Sequence, residues 1–287
     1  MTSTNPFQEL TKRFLVWAEA QQDIRGLLIV GSRARAKFPA DALSDLDLVV
    51  ITTDPNRYLN ETGWFEDLGL VLVTFIEETA VGQQLERRVL YRGGHDVDFS
   101  IFPASAFRKL IEGGFPLQIQ DVFRRGFRVL IDKDKVLEKL PVPPERTPSP
   151  PTAQEFNQDV NNFLYHTVWT AKKLRRGELW VAKSCCDGHM KRLLLRMMEW
   201  HARTVHGWSY DTWFEGRFLE KWAEPEILAE LAKTFAHYDK SDIKNALLES
   251  VELHRHLSTD VGISLGYQVP ASNYSETLRL VRSYVDT

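Results

Sequence analysis

The sequence predicts an α+β protein in which a mixed sheet with helices is followed by a C-terminal helical bundle. The first half of the chain holds short β-branched runs separated by glycine and polar turns, as strands are. The second half has the apolar spacing of helices almost throughout. Between them lie six prolines in eleven residues, a composition that favours a stiff, extended connector. We therefore predict a first domain over residues 1–140, a linker over 141–151 and a helical domain over 152–287.

One helix and five strands are predicted at specific places in the first half. The helix begins at Pro6, and its apolar side chains fall on one face. These side chains are Phe7, Leu10, Phe14 and Ala18. The strands are residues 27–30, 46–51, 70–75, 88–91 and 97–102. Because helical stretches separate only some of these runs, we expect a mixed sheet rather than a purely parallel one.

The second half begins with a recognisable helix start. Thr152 and Glu155 have the spacing of a capping box, in which each side chain accepts from the backbone N–H of the other residue. Apolar residues then recur at helical spacing over 156–171, and the pattern returns over 190–201 and 243–257. About five helices are expected here.

Composition and charge exclude several classes of protein. The 287 residues are 43% hydrophobic and 26% charged, which is ordinary for a globular chain, and the formal net charge is −3. Neither half has an excess of Lys and Arg, so no nucleic-acid partner is expected. No apolar run approaches the length of a membrane span, so no membrane association is expected. The two cysteines, Cys185 and Cys186, are adjacent and cannot staple a fold, which favours a reducing, cytoplasmic location.

The most informative stretch places two aspartates on one face of a strand. An apolar run ends at Gly31 and Ser32, and a second apolar run begins around Asp45 and Asp47. Side chains at positions i and i+2 of a strand point the same way. Two carboxylates this close repel each other unless a cation lies between them. Magnesium suits such hard oxygen ligands and completes its shell with water and phosphate oxygens.

Neighbouring residues extend this pattern. Asp96 and Asp98 repeat the arrangement on a later strand, where a third carboxylate would share the metals or take the proton of an attacking hydroxyl. Gly31 lets the backbone come close to a phosphate, and Ser32 offers a hydroxyl and an amide at a turn. Arg33 is near enough in sequence to reach the same phosphates.

Each of these features has an ordinary structural alternative. A Gly-Ser pair is often a plain turn, and an Asp-x-Asp at a strand start is often a solvated edge or a cap. Asp96 and Asp98 alone would also fit a polar strand face. The combination of strand, Gly-Ser turn, paired aspartates and a later aspartate on another strand favours a metal site.

This combination resembles the signature of the nucleotidyltransferase superfamily, which the DNA polymerase β-like enzymes share. Within it, the whole chain is similar to the aminoglycoside 6-adenylyltransferase, or streptomycin adenylyltransferase, family, most strongly at residues 31–33, 44–47 and 97–99 and again at 207–222. The resemblance implies a polymerase β-like catalytic domain, a helical substrate-binding domain and an active site in the cleft between them. It also implies transfer of AMP from ATP to the 6-hydroxyl of streptomycin with two magnesium ions, which would inactivate the antibiotic.

The resemblance assigns roles to residues of the first half. Asp45 and Asp47 would bind magnesium, and Asp98 would be the general base or a third metal ligand. Asp96 is its rival, because the two share a strand face. We prefer Asp98 because it lies between two apolar residues, as the family's carboxylate does.

The resemblance also points to residues of the helical half. Arg217 falls where related enzymes carry a basic residue, often a lysine, that touches the triphosphate, and Lys221 is a possible substitute. Trp180 and Asp187 fall where related streptomycin-modifying enzymes place an aromatic ring and an acid against the drug. The alternatives are core packing for Trp180 and a helix N-cap for Asp187.

Two other functions stay open at this point. One is a nucleotidyltransferase that acts on a different acceptor, such as a lincosamide, another small metabolite or a protein side chain. The other is a non-catalytic binding or antitoxin module that kept the fold. An intact set of Asp45, Asp47 and Asp98 argues against the second, and the sequence leaves the oligomeric state open.

Overall fold

A six-stranded mixed sheet forms the centre of the first half. The computed structural model describes residues 6–80, 84–140 and 142–285. The strands are β1 (Ile24–Val30), β2 (Leu46–Thr52), β3 (Val71–Glu78), β4 (Leu85–Tyr91), β5 (His95–Pro103) and β6 (Arg128–Asp132). Their order is β3-β4-β5-β2-β1-β6, and every neighbouring pair is antiparallel except β2 with β5. The predicted mixed sheet is thus confirmed, with β6 as an additional strand.

Helices cover both faces of this sheet. They are α1 (Pro6–Ala20), α2 (Pro55–Asn60), α3 (Gly63–Glu66), α4 (Ala104–Gly113) and α5 (Leu117–Arg124), with 3₁₀ turns at Gly31–Arg33 and Leu137–Lys139. The helix predicted from Pro6 is confirmed, and its four apolar side chains are buried. On one face Phe99 of β5 packs edge-on against Phe14 and Trp64, and on the other Phe102 packs edge-on against Phe107. Two apolar cores therefore fix the sheet from both sides.

The second half is helical, as predicted. Its helices are α6 (Ala153–Arg175), α7 (Leu179–Ser184), α8 (Met190–His206), α9 (Leu219–Trp222), α10 (Pro225–Lys233), α11 (Lys240–Leu265) and α12 (Ala271–Val285), with a π-helical turn at Cys185–His189. The predicted capping box is present at the start of α6. Four of these helices have 15 residues or more, and the other three have nine or fewer, which is why the expected number of about five was too low.

The chain divides into two compact units, Met1–Glu145 and Arg146–Thr287. Residues 142–151 between the sheet and α6 form neither helix nor strand, and Pro141, where the predicted linker begins, lies outside the described residues. The assignment of a catalytic domain, a linker and a substrate-binding domain to 1–140, 141–151 and 152–287 stays a prediction. Across the described ranges, every helix is too short or too polar to cross a membrane.

Candidate active site

The parallel pairing of β2 with β5 brings three carboxylates together. Asp47 of β2 is directly opposite Asp98 of β5, so their side chains leave the sheet on the same face. Asp45 lies one residue before β2 begins. Ligand oxygens of Asp45, Asp47 and Asp98 all lie within 4.8 Å of one another. Leu46 and Leu48 point to the opposite face, where they are fully buried and anchor the strand.

Gly31 makes room for one of these carboxylates. β1 ends at Val30 and the chain enters a 3₁₀ turn at Gly31, whose φ is +68°. A Cβ on Gly31 would lie 2.0 Å from Oδ2 of Asp47, which is far closer than non-bonded carbon and oxygen atoms approach each other. The glycine is therefore required by the position of the Asp47 side chain as well as by its own backbone.

Ser32 presents a buried hydroxyl without a partner. Its side chain is 7% exposed, and its Oγ has no hydrogen-bond partner in the part of the chain that the structure describes. A buried polar atom left unpaired is costly, so this hydroxyl is suited to a ligand oxygen. The three carboxylates, which the Gly31–Ser32 turn adjoins at Asp47, form a set of hard oxygen donors that fits magnesium with phosphate oxygens.

Asp98 is the most buried of the three carboxylates, at 7% exposure. Burial raises the pKa of Asp98 to about 7, and the guanidinium of Arg88, whose Nη2 is 3.4 Å from Asp98 Oδ2, opposes that rise. Asp96 is exposed and does not belong to the group of three carboxylates. The geometry thus brings Asp98, rather than Asp96, to Asp45 and Asp47, although neither catalytic role is tested by it.

The sequence does not predict that Arg88 and Glu86 lie near Asp98. Arg88 of β4 is directly opposite Asp98, and it pairs with Glu86 on the same strand at 3.0 Å. The Oγ of Ser100 donates to Glu86 Oε2 at 3.2 Å. The alternation of Glu86 and Arg88 can be read from the sequence. Their position beside Asp98 depends on the pairing of β4 with β5, which the sequence does not show.

Arg33 is directed at the backbone of the loop that carries Asp45. Its Nε donates to the Asp45 carbonyl at 2.8 Å, its Nη2 donates to the Ser44 carbonyl, and its guanidinium lies 3.7 Å from the centre of the Phe7 ring. In this structure the residue therefore holds the loop in front of β2. Its predicted contact with a phosphate stays a prediction.

Arg217 lies in an unusual loop of the second unit. Its side chain is exposed, and Trp213, Glu215, Gly216 and Phe218 around it all have positive φ. Its carbonyl accepts from Nε1 of Trp222 at 3.0 Å. Four such residues in a short segment mark a backbone held by its surroundings, a feature frequent at functional sites. The predicted triphosphate contact of Arg217 is not tested.

The two predicted drug contacts have different surroundings. Trp180 is 73% exposed and meets the Tyr238 ring edge-on, so its core-packing alternative is wrong. Asp187 lies inside the π-helical turn and caps no helix, so the N-cap alternative is wrong as well. Its carboxylate pairs with Lys183 and lies 3.9 Å from Lys191 Nζ. A drug contact of Asp187 remains a prediction that would have to compete with these two lysines.

Comparisons with known proteins identify the family of this chain. The chain is 24% identical over 274 residues to an aminoglycoside 6-adenylyltransferase of Bacillus subtilis (strain 168), which covers 92% of each chain. It is 23% identical to one of Campylobacter jejuni, covering 89% of this chain and 88% of the relative. A crystal structure of an aminoglycoside 6-adenyltransferase from Bacillus subtilis aligns over 97% of this chain and 99% of its own, with 20% identity and a TM-score of 0.47. The family described as streptomycin adenylyltransferase matches residues 5–285. The chain therefore belongs to the streptomycin adenylyltransferase family.

Proposed function

We propose that this chain is a magnesium-dependent nucleotidyltransferase that transfers AMP from ATP to the 6-hydroxyl of streptomycin and releases pyrophosphate. The observation that carries the proposal is the group of Asp45, Asp47 and Asp98 beside the Gly31–Ser32 turn, in a chain of this family. Relatives that match about nine-tenths of its length are named aminoglycoside 6-adenylyltransferases, which supports the acceptor class and the modified position. The transfer would remove a hydroxyl donor from the antibiotic and add negative charge to it.

Each candidate residue of the first unit has a separate role in the proposed transfer. Asp45 and Asp47 hold the metal, and two magnesium ions, when bound, neutralise charge on the attacking and leaving oxygens. Ser32 donates its unpaired hydroxyl to a phosphate oxygen, and Gly31 leaves room for Asp47. Asp98 accepts the proton of the attacking hydroxyl or serves as a third ligand, as its position beside Asp45 and Asp47 permits. Little further chemistry is needed, since phosphoryl transfer depends mainly on positioning and charge.

The roles in the second unit rest on the family resemblance. Arg217 would contact the triphosphate, and Trp180 would contact the acceptor, as the exposed positions of both side chains permit. Asp187 would have to exchange its lysine partners for the drug.

The test is AMP transfer by the purified chain, with ATP, magnesium and a panel of aminoglycosides, followed by mass spectrometry and NMR of the product. We expect AMP on the 6-hydroxyl of streptomycin. Asp47→Asn should abolish transfer, and Asp98→Asn should lower kcat by about 10²–10⁴-fold. Asp96→Asn is the matched control and should stay active. Full turnover by a well-folded Asp47→Asn variant would contradict the metal site, and an inactive Asp96→Asn with an active Asp98→Asn would reverse the assignment of the base.

The panel also separates the proposal from the other candidates. A product from lincomycin but none from streptomycin would keep the nucleotidyltransferase and replace its acceptor. The absence of transfer to any acceptor, together with the absence of magnesium-dependent ATP binding, would favour a non-catalytic module. The complete carboxylate group argues against that outcome.

A further inference from the structure

The face of the sheet that carries the three carboxylates continues beyond them across two more strands. Val30 of β1 is opposite Asp47 of β2, Asp47 is opposite Asp98 of β5, and Asp98 is opposite Arg88 of β4. Arg88 is in turn opposite Phe75 of β3. Residues directly opposite each other in neighbouring strands have their side chains on one face. These five residues therefore form one row that crosses the candidate active site.

The order of the residues in this row indicates the side from which the acceptor approaches. The Gly31–Ser32 turn follows β1, so a phosphate held there lies on the β1 side of Asp47. Asp98 lies on the other side of Asp47, next to β4. A hydroxyl that gives its proton to Asp98 while it attacks that phosphate has to come from the β4 side, because the β1 side is taken by the nucleotide. The acceptor therefore belongs over β4 and β3.

The charged groups on this part of the face favour a cation that also carries hydroxyls. Arg88 pairs with Glu77 of β3 and with Glu86, and reaches Asp98 at 3.4 Å, so three carboxylates surround one guanidinium. Glu86 is only 5% exposed and accepts a hydrogen bond from Ser100 Oγ. Because Glu86 is fixed in this way, its ion pair also holds Arg88 in place. Glu77 and Arg88 are accessible, with 42% and 40% of their side chains exposed. A carboxylate suits an ammonium or guanidinium group, and the arginine donates to hydroxyl oxygens.

The remaining surface on this face is apolar. Phe75 is 49% exposed, and Val73 beside it, opposite Leu90 of β4, is 52% exposed. Exposed apolar side chains on an edge strand are normally avoided, and they often mark a binding surface. An aromatic ring here offers a flat surface to the C–H face of a saturated ring.

We propose that Phe75, Glu77 and Arg88 form the acceptor subsite, and that they recognise a saturated ring bearing both hydroxyl and cationic groups, that is, an aminocyclitol. The inference rests on the proposed function and deepens it. Glu77 binds the cationic group, Arg88 donates to a ring hydroxyl, and Phe75 covers one face of the ring. This assigns part of acceptor recognition to the first unit, where Glu77 and Arg88 are paired with each other. It does not replace the contacts proposed for Trp180 and Asp187.

The test compares two faces of the same strand. With the aminoglycoside that the wild-type chain modifies, Glu77→Gln and Phe75→Ala should each raise the acceptor KM about tenfold. The ATP KM should not change, because three strands lie between β3, which carries both residues, and β1, which the Gly31–Ser32 turn follows. The kcat at saturation should change little, since these contacts are made equally before and during transfer. Calorimetric titration of the same aminoglycoside without ATP should show the same loss of affinity.

The matched controls are Glu78→Gln and Ile76→Ala, which alternate with the subsite residues along β3 and so point to the opposite face. They should leave the acceptor KM as in the wild type. An active wild type whose acceptor KM is unaffected by Glu77→Gln and Phe75→Ala, or is raised equally by the controls, overturns the subsite alone. A wild type that transfers AMP to no aminoglycoside overturns the proposed function and this inference together. Glu77→Gln, a change at a half-exposed side chain, carries the test if Phe75→Ala does not fold.

Discussion

At the scale of single residues, the absence of a side chain at Gly31 allows the carboxylate of Asp47 to occupy its position in the candidate site. A side chain at Gly31 and the Asp47 carboxylate would occupy the same space, since a Cβ would lie 2.0 Å from Oδ2. Asp47 would then be pushed away from Asp45 and Asp98. The glycine thus acts on the proposed metal site through the side chain beside it, in addition to the contact of its backbone with a phosphate that the sequence predicts.

Gly31→Ala should therefore lower AMP transfer by about 10²-fold or more, because displacing a catalytic group by 1 Å has an effect of that size. The measurement is kcat/KM together with magnesium affinity. Gly94→Ala is the matched control: Gly94 also has a positive φ, of +80°, but a Cβ there meets nothing within 4 Å. It should lower stability by about 1–2 kcal/mol and leave activity intact. Wild-type kcat/KM in Gly31→Ala would contradict this explanation.

A second residue, Glu199, makes the free energy of unfolding depend on pH. Burial raises the pKa of Glu199 in α8 to about 7 from an ordinary value of 4.5, against the opposing effect of Arg203 and Arg196. The folded chain therefore holds a proton on Glu199 between about pH 4.5 and 7 that the unfolded chain releases. The free energy of unfolding should fall as pH rises through this range, by at most about 3 kcal/mol.

Glu199→Gln should remove this contribution and leave the one from Asp98, whose pKa burial also raises to about 7. The measurement is urea unfolding at pH 5 and pH 8, with the change between the two pH values compared for the wild type and the variant. Glu249→Gln, at an exposed position of α11, is the control and should behave as the wild type. An identical pH dependence in Glu199→Gln and the wild type would show that burial of this carboxyl group does not matter.

The three clustered aspartates of the candidate site could be found from the sequence because their pattern is local. Asp45 and Asp47 are two residues apart, and each aspartate lies at a strand that the apolar runs predict. Arg88 and Glu86 could not be found in this way. Their relation to Asp98 depends on β4 lying beside β5, and the propensities of β4 itself do not specify its neighbour.

At the scale of elements, the start of α6 is determined by two side chains. Thr152 Oγ1 accepts from the Glu155 backbone N–H at 3.2 Å, and Glu155 Oε2 accepts from the Thr152 backbone N–H at 2.7 Å. The Thr152 backbone N–H and hydroxyl both donate to Glu155 Oε2, which holds the pKa of Glu155 below its usual value. The two side chains of the capping box satisfy two of the backbone donors that a helix leaves unpaired at its first turn.

Thr152→Ala should lower the free energy of unfolding by about 1 kcal/mol, because one of these donors loses its partner. Thr152→Ser keeps the hydroxyl and is the matched control. Denaturant unfolding followed by circular dichroism measures both. Equal destabilisation by alanine and serine would mean that the threonine methyl group, and not the cap, is what stabilises this helix end.

Three of the long helices were predictable from their apolar period, whereas two short elements, β6 and α9, were not. The apolar period identifies α6, α8 and α11 because each presents several turns of one buried face. The five residues of β6 are mostly half-exposed at a sheet edge and show no clear alternation. The four-residue helix α9 follows Phe218, which is left-handed, so its start depends on a loop conformation that propensity does not encode.

At the scale of the whole molecule, strand order differs from chain order. The sequence predicts which segments are strands, but β5 inserts between β4 and β2, and β1 separates β2 from β6. The group of three carboxylates and the row that ends at Phe75 are products of that order. The fold class followed from local patterns, whereas the layout of the site required the long-range pairing.

The parallel pairing of β2 with β5 also determines when a growing chain acquires its site. About fifty residues separate Asp47 from Asp98, and ribosomes add about 5–20 residues per second, so roughly 3–10 s pass between their syntheses. During that interval Asp45 and Asp47 exist without the strand that completes the group, and the β3–β4 hairpin has no β5 to pair with. We expect a chain terminated before β5 to be inactive, because it lacks Asp98, and to associate with other nascent chains, because one edge of its β3–β4 hairpin has no neighbouring strand.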